Sequence, residues 1–226
     1  MFDQTTADGY YRWVRKEIAP LLPATAHSIL DVGAGAGNTG AWLRSRYPGS
    51  YLTALEGNPD LREELSAKAD RVHILDLNDD LPDLGSPDLV LCLDILEHLV
   101  RPDLVLRRLT ESMANGATVI VSVPNVAHLS VSAPLLFAGQ FAYREAGILD
   151  RTHLRFFVRQ SALALMASAG LTVHRGIRVG FSGPRTRMLD ALTVGLARDR
   201  LTKQYVMAGQ RSGSGGSPAD VEWLLA

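Results

Sequence analysis

Short apolar runs alternate with helical patterns along most of this chain. The runs are rich in valine, isoleucine and leucine, and most of them end beside an acidic or polar residue. Such runs are typical of strands buried on both faces, and helices between them favour a parallel sheet that is covered on both sides. The pattern predicts an α/β domain with strands at residues 28–32, 51–55, 72–75, 89–93, 118–123, 171–179 and 204–208.

Helices are predicted between these strands from capping and stop signals. Asn58 is a good helix cap, and Pro59 fits the first helical position because its missing N–H is not needed there. Asn115 and Gly116 together indicate the end of a later helix. The expected helices lie at residues 10–19, 39–46, 59–68, 102–113 and 160–169, with a loop and a helix within 181–200.

A turn with a glycine at every second position follows the first strand. Asp31 lies near the end of the strand, and Gly33, Gly35 and Gly37 form the turn. Alternate glycines let the backbone take positive φ and let a ligand lie against bare main chain, while the next helix offers that ligand free N–H groups. A dinucleotide fingerprint would have its third glycine where Asn38 stands, and no G-K-S/T phosphate motif is present. The turn predicts a nucleotide-like cofactor.

Acidic residues follow the second, third and fourth strands. They are Glu56, Asp76 and Asp94, and in a parallel sheet a ligand binds across the carboxyl ends of neighbouring strands. Glu56 lies about twenty residues beyond the glycine turn, the offset at which an acid binds ribose hydroxyls. We expect Asp76 to accept a hydrogen bond from an adenine amino group and Leu77 to lie beside the ring. The alternative for each acid is a helix cap or a solvated turn residue.

Taken in order, the glycine turn and the strand-end acids resemble the signature of class I methyltransferases that depend on S-adenosylmethionine (SAM). The resemblance covers about residues 10–208. It implies a Rossmann-like, seven-stranded, mostly parallel sheet with an antiparallel last strand, and SAM as the cofactor. The residues it implies for cofactor binding are Asp31, Gly33, Gly35, Gly37, Glu56, Asp76, Leu77 and Asp94.

Three further segments narrow the resemblance to one group. Residues 94–98, 121–125 and 147–157 resemble bacterial methyltransferases of the type 11/23 superfamily, many of which accompany polysaccharide or natural-product pathways. The Glu97-His98 pair with a later histidine is also similar to ubiquinone-biosynthesis O-methyltransferases. It is similar as well to small-RNA 3′-terminal methyltransferases, in which acids and histidines bind a divalent metal.

This resemblance implies a catalytic group of His98, His153 and Asp94, and a metal site at Glu97, His98 and His153. Asp94 stands where the RNA methyltransferases have a longer glutamate. Two mechanisms remain open, because either a histidine takes the proton of an acceptor hydroxyl or a divalent metal lowers the pKa of that hydroxyl. The alternatives without chemistry are that His98 packs at a helix start and that His153 faces solvent.

The insertion at residues 124–156, after the fifth strand, is predicted to form a lid over the acceptor. It carries Phe137, Phe141 and Tyr143, which offer apolar area to a bound molecule. Large aromatic side chains in an insertion beside the expected cofactor are typical of a substrate-binding segment. We therefore expect these three side chains to lie over the acceptor.

Charge is distributed unevenly along the chain. The net charge is −1, yet residues 1–143 hold 11 lysines and arginines against 18 acids, and residues 144–211 hold 12 against 4. The basic third predicts an anionic acceptor or partner, and the alternative is a solvated basic face. Arg151, Arg155 and Arg159 would share one helical face if a helix began early.

Composition limits the remaining possibilities. The 226 residues suffice for one domain, expected at 1–210, with 211–226 as a flexible C-terminal tail. Cys92 lies alone in an apolar run, which favours a reducing compartment. The first residues lack a signal-peptide pattern, and no apolar run is long enough for a membrane span. We expect a cytoplasmic protein.

The sequence as a whole predicts O-methylation of a hydroxylated small molecule, such as a sugar, a glycolipid precursor or a natural product. The first alternative is a nucleic-acid methyltransferase, which the net charge and the absence of a recognised RNA module disfavour. The second is a partner protein that binds SAM without catalysis.

Overall fold

In the part of the chain that the structure describes, the apolar runs form one eight-stranded sheet. The computed structural model describes residues 12–180, 183–211 and 221–226. In chain order the strands are β1 (Ser28–Val32), β2 (Tyr51–Glu56), β3 (Arg71–Ile74), β4 (Leu89–Leu93), β5 (Thr118–Pro124), β6 (Leu171–Val179), β7 (Gln204–Arg211) and β8 (Glu222–Leu225).

The strands lie in the order β3-β2-β1-β4-β5-β7-β6-β8. Pairing is parallel from β3 through β5, whereas β7 is antiparallel to both β5 and β6, and β8 is parallel to β6. The predicted Rossmann-like α/β class and the antiparallel strand near the end of the chain are confirmed. There is one strand more than predicted, because β8 adds to the outer side of β6. We call the edge at which β1, β2, β4 and β5 end the carboxyl edge.

Helices cover both faces of the sheet, and none among the described residues is long and apolar enough to cross a membrane. Short 3-10 turns lie at Lys16–Leu21, Pro59–Leu61 and Leu96–His98. The α-helices are α1 (Asn38–Arg46), α2 (Arg62–Ser66), α3 (Pro102–Ser112), α4 (Leu129–Ala138), α5 (Arg159–Ser168), α6 (Pro184–Leu192) and α7 (Arg198–Leu201).

Alternation of side chains along the strands builds a core on each face of the sheet. On β1, Leu30 belongs to the cluster that α3 and α5 cover, and Ile29 belongs to the opposite cluster with Leu43 of α1. Full burial of such a side chain contributes about 1.5–3 kcal/mol. Cys92 lies in the first cluster, buried as predicted, and burial raises the pKa of its thiol. Both cores hold the strands in register and so fix the carboxyl edge.

Two helix predictions near the N-terminal end need correction. The helix expected at 10–19 is wrong for the described residues, where a 3-10 turn occupies Lys16–Leu21 and contains Pro20; residues 10 and 11 lie outside them. Proline has no N–H to donate, which disfavours a regular helix there. The helix expected at 59–68 starts as predicted, with the Asn58 side chain accepting from the Asp60 N–H at 3.0 Å, but α2 ends at Ser66.

The C-terminal residues also differ from the prediction of a flexible tail at 211–226. Arg211 is the last residue of β7, and Glu222–Leu225 form β8. The Trp223 ring packs against Tyr205 with 5.5 Å between centroids, and it covers Gly176, where a Cβ would lie 2.5 Å from the indole. The intervening residues 212–220 lie outside the described part of the chain.

Candidate functional site

The glycine turn is fixed against the end of β2 by its own backbone. The N–H groups of Gly33 and Ala34 both donate to the carbonyl oxygen of Leu55, at 2.9 and 3.0 Å. Gly33 has a φ of 72°, and a Cβ there would lie 2.9 Å from the side chain of Ile95. Gly37 has a φ of 76°. The turn therefore needs these glycines, and it presents bare backbone at the carboxyl edge.

Glu56 joins the glycine turn to the end of β2. Its side chain is buried, and its two carboxylate oxygens accept from the N–H of Gly35 at 2.8 Å and the N–H of Asn58 at 2.9 Å. Each carboxylate oxygen can accept more than one hydrogen bond. The predicted ribose ligand therefore lies beside the turn with acceptor capacity remaining.

Asp31 is buried beneath the turn rather than exposed to a ligand. Its side chain is 4% exposed, and its Oδ2 atom has no hydrogen-bond partner. Burial, and then the charge of Glu56, raise the pKa of Asp31 to about 7. The acid that begins the motif therefore lies inside the protein, next to Gly40 of α1.

Asp76 and Leu77 occupy the turn after β3. The Asp76 side chain is exposed, and its Oδ1 atom accepts from the Asn78 backbone N–H at 2.9 Å and from the Asn78 amide at 2.8 Å. This is the turn-residue arrangement that the sequence leaves open as the alternative to adenine binding. Leu77 is buried and belongs to the core.

Asp94, after β4, is held in a polar network by three other elements. It has a φ of 54°, and its carboxylate accepts from Arg15, from the Ser122 hydroxyl at 2.7 Å and from the Gln204 amide. Burial disfavours the charge of Arg15, but Asp94 and Glu17 outweigh it and raise the pKa of Arg15 above its usual range. The network ties the N-terminal segment to the carboxyl edge.

Glu97, His98 and His153 lie together next to this network, and we call them the carboxyl–imidazole cluster. Their ligand atoms all lie within 4.8 Å of one another, and the two imidazole centroids are 4.8 Å apart. Glu97 is 1% exposed, and neither of its carboxylate oxygens has a hydrogen-bond partner. Buried polar atoms are normally paired, so this arrangement fits a proton, a hydroxyl or a cation that binds between the three side chains.

Electrostatics disfavour a charge on two members of the cluster, Glu97 and His98. Burial, and then the charge of Asp94, raise the pKa of Glu97 well above its usual range. Burial, and then His153, lower the pKa of His98. A carboxyl that holds its proton and an imidazole that lacks one are poised for proton transfer.

Two hydrogen bonds to one carbonyl group hold the end of the insertion next to this cluster. The backbone oxygen of Glu97 accepts from the N–H groups of Leu154 and Arg155, at 2.8 and 3.0 Å. These bonds place His153 against His98 although the two are far apart in sequence. Asp94 is not part of the cluster, because its carboxylate is engaged by the network described above.

Aromatic side chains of the insertion line one side of the cluster. Phe156 lies 6.5 Å from the His153 ring and 5.6 Å from Phe141, and Phe141 lies 5.7 Å from Tyr143, all between centroids. Phe137 is 84% exposed and takes no part. Two of the three aromatic residues expected over the acceptor are therefore near the cluster.

The three arginines expected on one helical face do not share it, because α5 begins only at Arg159. Arg151 pairs with Glu145, and Arg155 donates to the carbonyl oxygen of Val100. Arg159 itself pairs with Asp199 at 3.1 Å. The shared-face interpretation is wrong.

Sequence reasoning missed Arg15, Ser122 and Gln204. Ser122 and Gln204 lie at the ends of β5 and β7 that meet the carboxyl edge, so their position in the strands is the signal that could have found them. Arg15 precedes every strand and shows no motif. Its contact depends on the path of the chain across the edge.

A family model described as a methyltransferase domain, of type 23, matches residues 7–175. The matched range contains the glycine turn, Glu56 and the whole carboxyl–imidazole cluster. The chain belongs to this methyltransferase family. SAM is the methyl donor of the family, and the following comparisons agree with that membership.

A trans-aconitate 2-methyltransferase of Methylobacterium nodulans is 29% identical to this methyltransferase over 154 residues. The match covers 64% of this chain and 57% of that protein, so the chain spans little more than half of that relative's length.

Solved structures with the same fold include a SAM-dependent methyltransferase from Mesorhizobium loti. It has a TM-score of 0.60 and 15% identity, and the match covers 90% of this chain and 99% of that one. An O-methyltransferase family protein from Burkholderia thailandensis has a TM-score of 0.61 and 17% identity, covering 92% of this chain and 60% of that one. At such identities the similarity shows the fold alone.

The carboxyl edge of this chain fits SAM on two observations. A Cβ at Gly33 or Gly37 would clash with a neighbouring side chain, so the turn presents bare backbone. Both carboxylate oxygens of Glu56, beside the turn, can accept further hydrogen bonds. A ribose offers two adjacent hydroxyls, which suit a carboxylate. Glu56 would hold the ribose, and the turn would lie along the rest of the cofactor.

Proposed function

We propose that this methyltransferase transfers the methyl group of SAM to a hydroxyl oxygen of a small hydroxylated molecule, such as a sugar, a glycolipid precursor or a natural product. The observation that carries the proposal is the carboxyl–imidazole cluster, in which the buried Glu97 has two unpaired oxygens beside His98 and His153. A hydroxyl must lose a proton when it is methylated. The cluster offers groups that can bind and accept that proton.

The chemistry needs little more from the protein. SAM is already an activated donor, so the site must align the hydroxyl oxygen with the methyl group and exclude water. The glycine turn and the cluster both lie at the carboxyl edge. Ile95 lies against Gly33 of the turn and precedes Glu97 of the cluster by two residues in the sequence. An acceptor hydroxyl between His98 and His153 would therefore lie near the cofactor.

The same cluster fits a divalent metal. Ligands at about 2.0–2.2 Å from one ion lie at most about 4.4 Å apart, and the three donors lie within 4.8 Å of one another, so small side-chain shifts would bring them together. Two imidazoles and a carboxylate suit a borderline ion. Glu97, His98 and His153 would hold the metal, which when bound supplies Lewis acidity at the acceptor hydroxyl.

The surroundings favour a small, polar acceptor. Phe141, Tyr143 and Phe156 form an apolar side next to His153, which suits the face of a sugar or an aromatic ring. The basic residues of 144–211 remain our reason to expect an anionic group on the acceptor. The trans-aconitate 2-methyltransferase relative supports a small molecule over a nucleic acid.

The buried free Cys92 supports the expected cytoplasmic location.

The test is release of S-adenosylhomocysteine with a panel of sugars, hydroxybenzoates, hydroxy acids, RNA and DNA, with and without a chelator. We expect turnover with a hydroxylated acceptor. His98→Ala and His153→Ala should each lower the rate by roughly 10²–10⁴-fold and still bind SAM. His174→Ala, which removes an exposed histidine of β6, is the matched control.

Each outcome of this test decides a point. Loss of turnover on chelation supports the metal, and turnover that resists chelation supports a histidine base. Full activity of both cluster variants would contradict the proposed site. Methylation of RNA or DNA alone would support the nucleic-acid alternative. SAM binding without turnover on any acceptor would favour the non-catalytic one.

A further inference from the structure

A chain of hydrogen bonds begins at the Nδ1 atom of His98. His98 Nδ1 lies 3.2 Å from the Thr152 hydroxyl oxygen, and that oxygen lies 2.6 Å from Asp150 Oδ1. The Thr152 backbone N–H also donates to Asp150 Oδ1, at 2.8 Å. The Thr152 hydroxyl thus links the His98 imidazole to the Asp150 carboxylate within one short segment of the insertion.

Counting protons along this chain fixes the direction of each bond. Asp150 Oδ1 accepts from the Thr152 backbone N–H, and a carboxylate oxygen only accepts. Thr152 must therefore donate its single hydroxyl proton to Asp150. Its oxygen can then only accept from His98, which places a proton on His98 Nδ1 and leaves a lone pair on Nε2.

His153 reaches the same state by a simpler route. Its Nδ1 atom lies 3.1 Å from the carbonyl oxygen of Ile148, and a carbonyl only accepts. His153 therefore also carries its proton on Nδ1. Both imidazoles of the cluster then have the free lone pair on Nε2, because their Nδ1 atoms are occupied by the insertion.

We propose that Thr152 and Asp150 are positioning residues that hold His98 in the Nδ1–H tautomer, so that its Nε2 lone pair is available to the acceptor site. The proposal deepens the proposed function and rests on it for its catalytic meaning. The tautomer itself follows from the hydrogen bonds alone. Histidines that bind a metal or a proton are commonly oriented by such partners.

An ordinary turn does not account for this arrangement. An Asx turn needs only the bond from the Thr152 N–H to the Asp150 side chain. The hydroxyl bond to Asp150 is additional, and so is the contact with His98, which joins residues 54 apart in the sequence. The backbone nearby is also fixed, because the Asp150 N–H donates to the Gly147 carbonyl at 3.0 Å.

The decisive measurement is the imidazole ¹⁵N spectrum of the metal-free protein, recorded well above the ordinary imidazole pKa. We expect the wild-type protein to show both His98 and His153 protonated on Nδ1. Thr152→Val keeps the shape of the side chain and removes the hydroxyl, so His98 should move towards the Nε2–H form while His153 stays unchanged. Thr152→Ser should retain the wild-type spectrum. Thr193→Val, which removes a hydroxyl bond at the C-terminal end of α6, is the control.

Kinetics provide the second readout. Thr152→Val should lower kcat by about 10–100-fold with unchanged SAM affinity, and Thr152→Ser should restore it. An Nε2–H signal for His98 in the wild-type protein would overturn the proposal without any variant. So would a Thr152→Val spectrum identical to wild type. The predicted tautomer change in a protein that methylates no hydroxyl would support the positioning and contradict the proposed function.

Discussion

Asp31 shows how a single buried carboxyl makes stability depend on pH. Its pKa of about 7, against an ordinary value of 3.8, means that the folded protein binds the proton more tightly than the unfolded chain. The free energy of unfolding therefore falls as pH rises from about 4 to about 7, by up to about 1.4 kcal/mol per pH unit. Asp31→Asn cannot ionise, so we expect the variant to lose less stability over this range.

Urea unfolding of both proteins at several pH values across that range measures the difference. Asp103→Asn is a suitable control, because Asp103 is exposed and its carboxylate pairs with Arg101 at the surface. Parallel pH profiles for wild type and Asp31→Asn would show that the Asp31 carboxyl does not lower the free energy of unfolding as pH rises.

Glu56 tests the cofactor position at the same scale. Glu56→Ala should weaken binding of S-adenosylhomocysteine by about 2–4 kcal/mol, because charge-assisted bonds to the ribose contribute about 1.5–3 kcal/mol each before compensation. The variant also frees the N–H groups of Gly35 and Asn58. Calorimetry measures the affinity, with Asp60→Ala as an exposed acidic control on the same segment. Wild-type affinity in Glu56→Ala would rule out this position for the ribose.

Single residues differ in how far the sequence can place them. The glycine turn and Glu56 could be predicted because their spacing is local and set by one strand-turn-helix unit. The pairing of Arg15 with Asp94 could not, since the two lie 79 residues apart and nothing near Arg15 indicates the carboxyl edge. His98 and His153 were linked only by family resemblance. Their contact depends on the Glu97 carbonyl, which no pattern of side chains reveals.

At the scale of elements, β8 is the part that local sequence predicted least well. β8 pairs with β6 at the edge of the sheet, and its Trp223 side chain packs there. The Arg178 guanidinium lies 4.9 Å from the centroid of the Trp223 ring. A short run beside a Ser/Gly-rich stretch carries no strand signal of its own, because the edge that orders it lies far away in the sequence. The same holds for the N-terminal helix prediction, where Pro20 and contacts with β6 and β7 favour a 3-10 turn.

Trp223→Ala tests whether β8 stabilises the fold. We expect a loss of about 2–3 kcal/mol, below the range for a fully buried tryptophan because part of this ring is exposed. Glu222→Ala removes only an exposed ion pair with Arg175 and should change stability by less than about 1 kcal/mol. Thermal unfolding compares the two variants. Equal midpoints for all three proteins would mean that β8 adds nothing to the stability of the sheet.

At the scale of the whole molecule, cofactor binding should stabilise the fold because the carboxyl edge joins several elements. S-adenosylhomocysteine at about 100 times its Kd should add about 2.7 kcal/mol, which is roughly 5–10 °C in Tm for a chain of this size. Gly35→Val should abolish that shift, because its side chain would lie in the path of the cofactor. Gly49→Val is the matched control, since Gly49 also has positive φ but open space around it.

Scanning calorimetry with and without S-adenosylhomocysteine measures the shift in Tm for the wild-type protein and for each variant. The control variant should have a lower starting Tm, from backbone strain, and a normal ligand shift. A normal shift in Gly35→Val would remove the glycine turn from the cofactor site.

The position of β7 between β5 and β6 has a consequence for vectorial synthesis. As the chain leaves the ribosome, β6 emerges before β7, yet the sheet offers β6 no neighbour until β7 has paired with β5. Arg15 must likewise wait for Gln204, which follows 189 residues later. A nascent chain that ends before β7 therefore has a half-built sheet and an unfinished carboxyl edge. Closure of the binding edge is therefore coupled to the synthesis of β7.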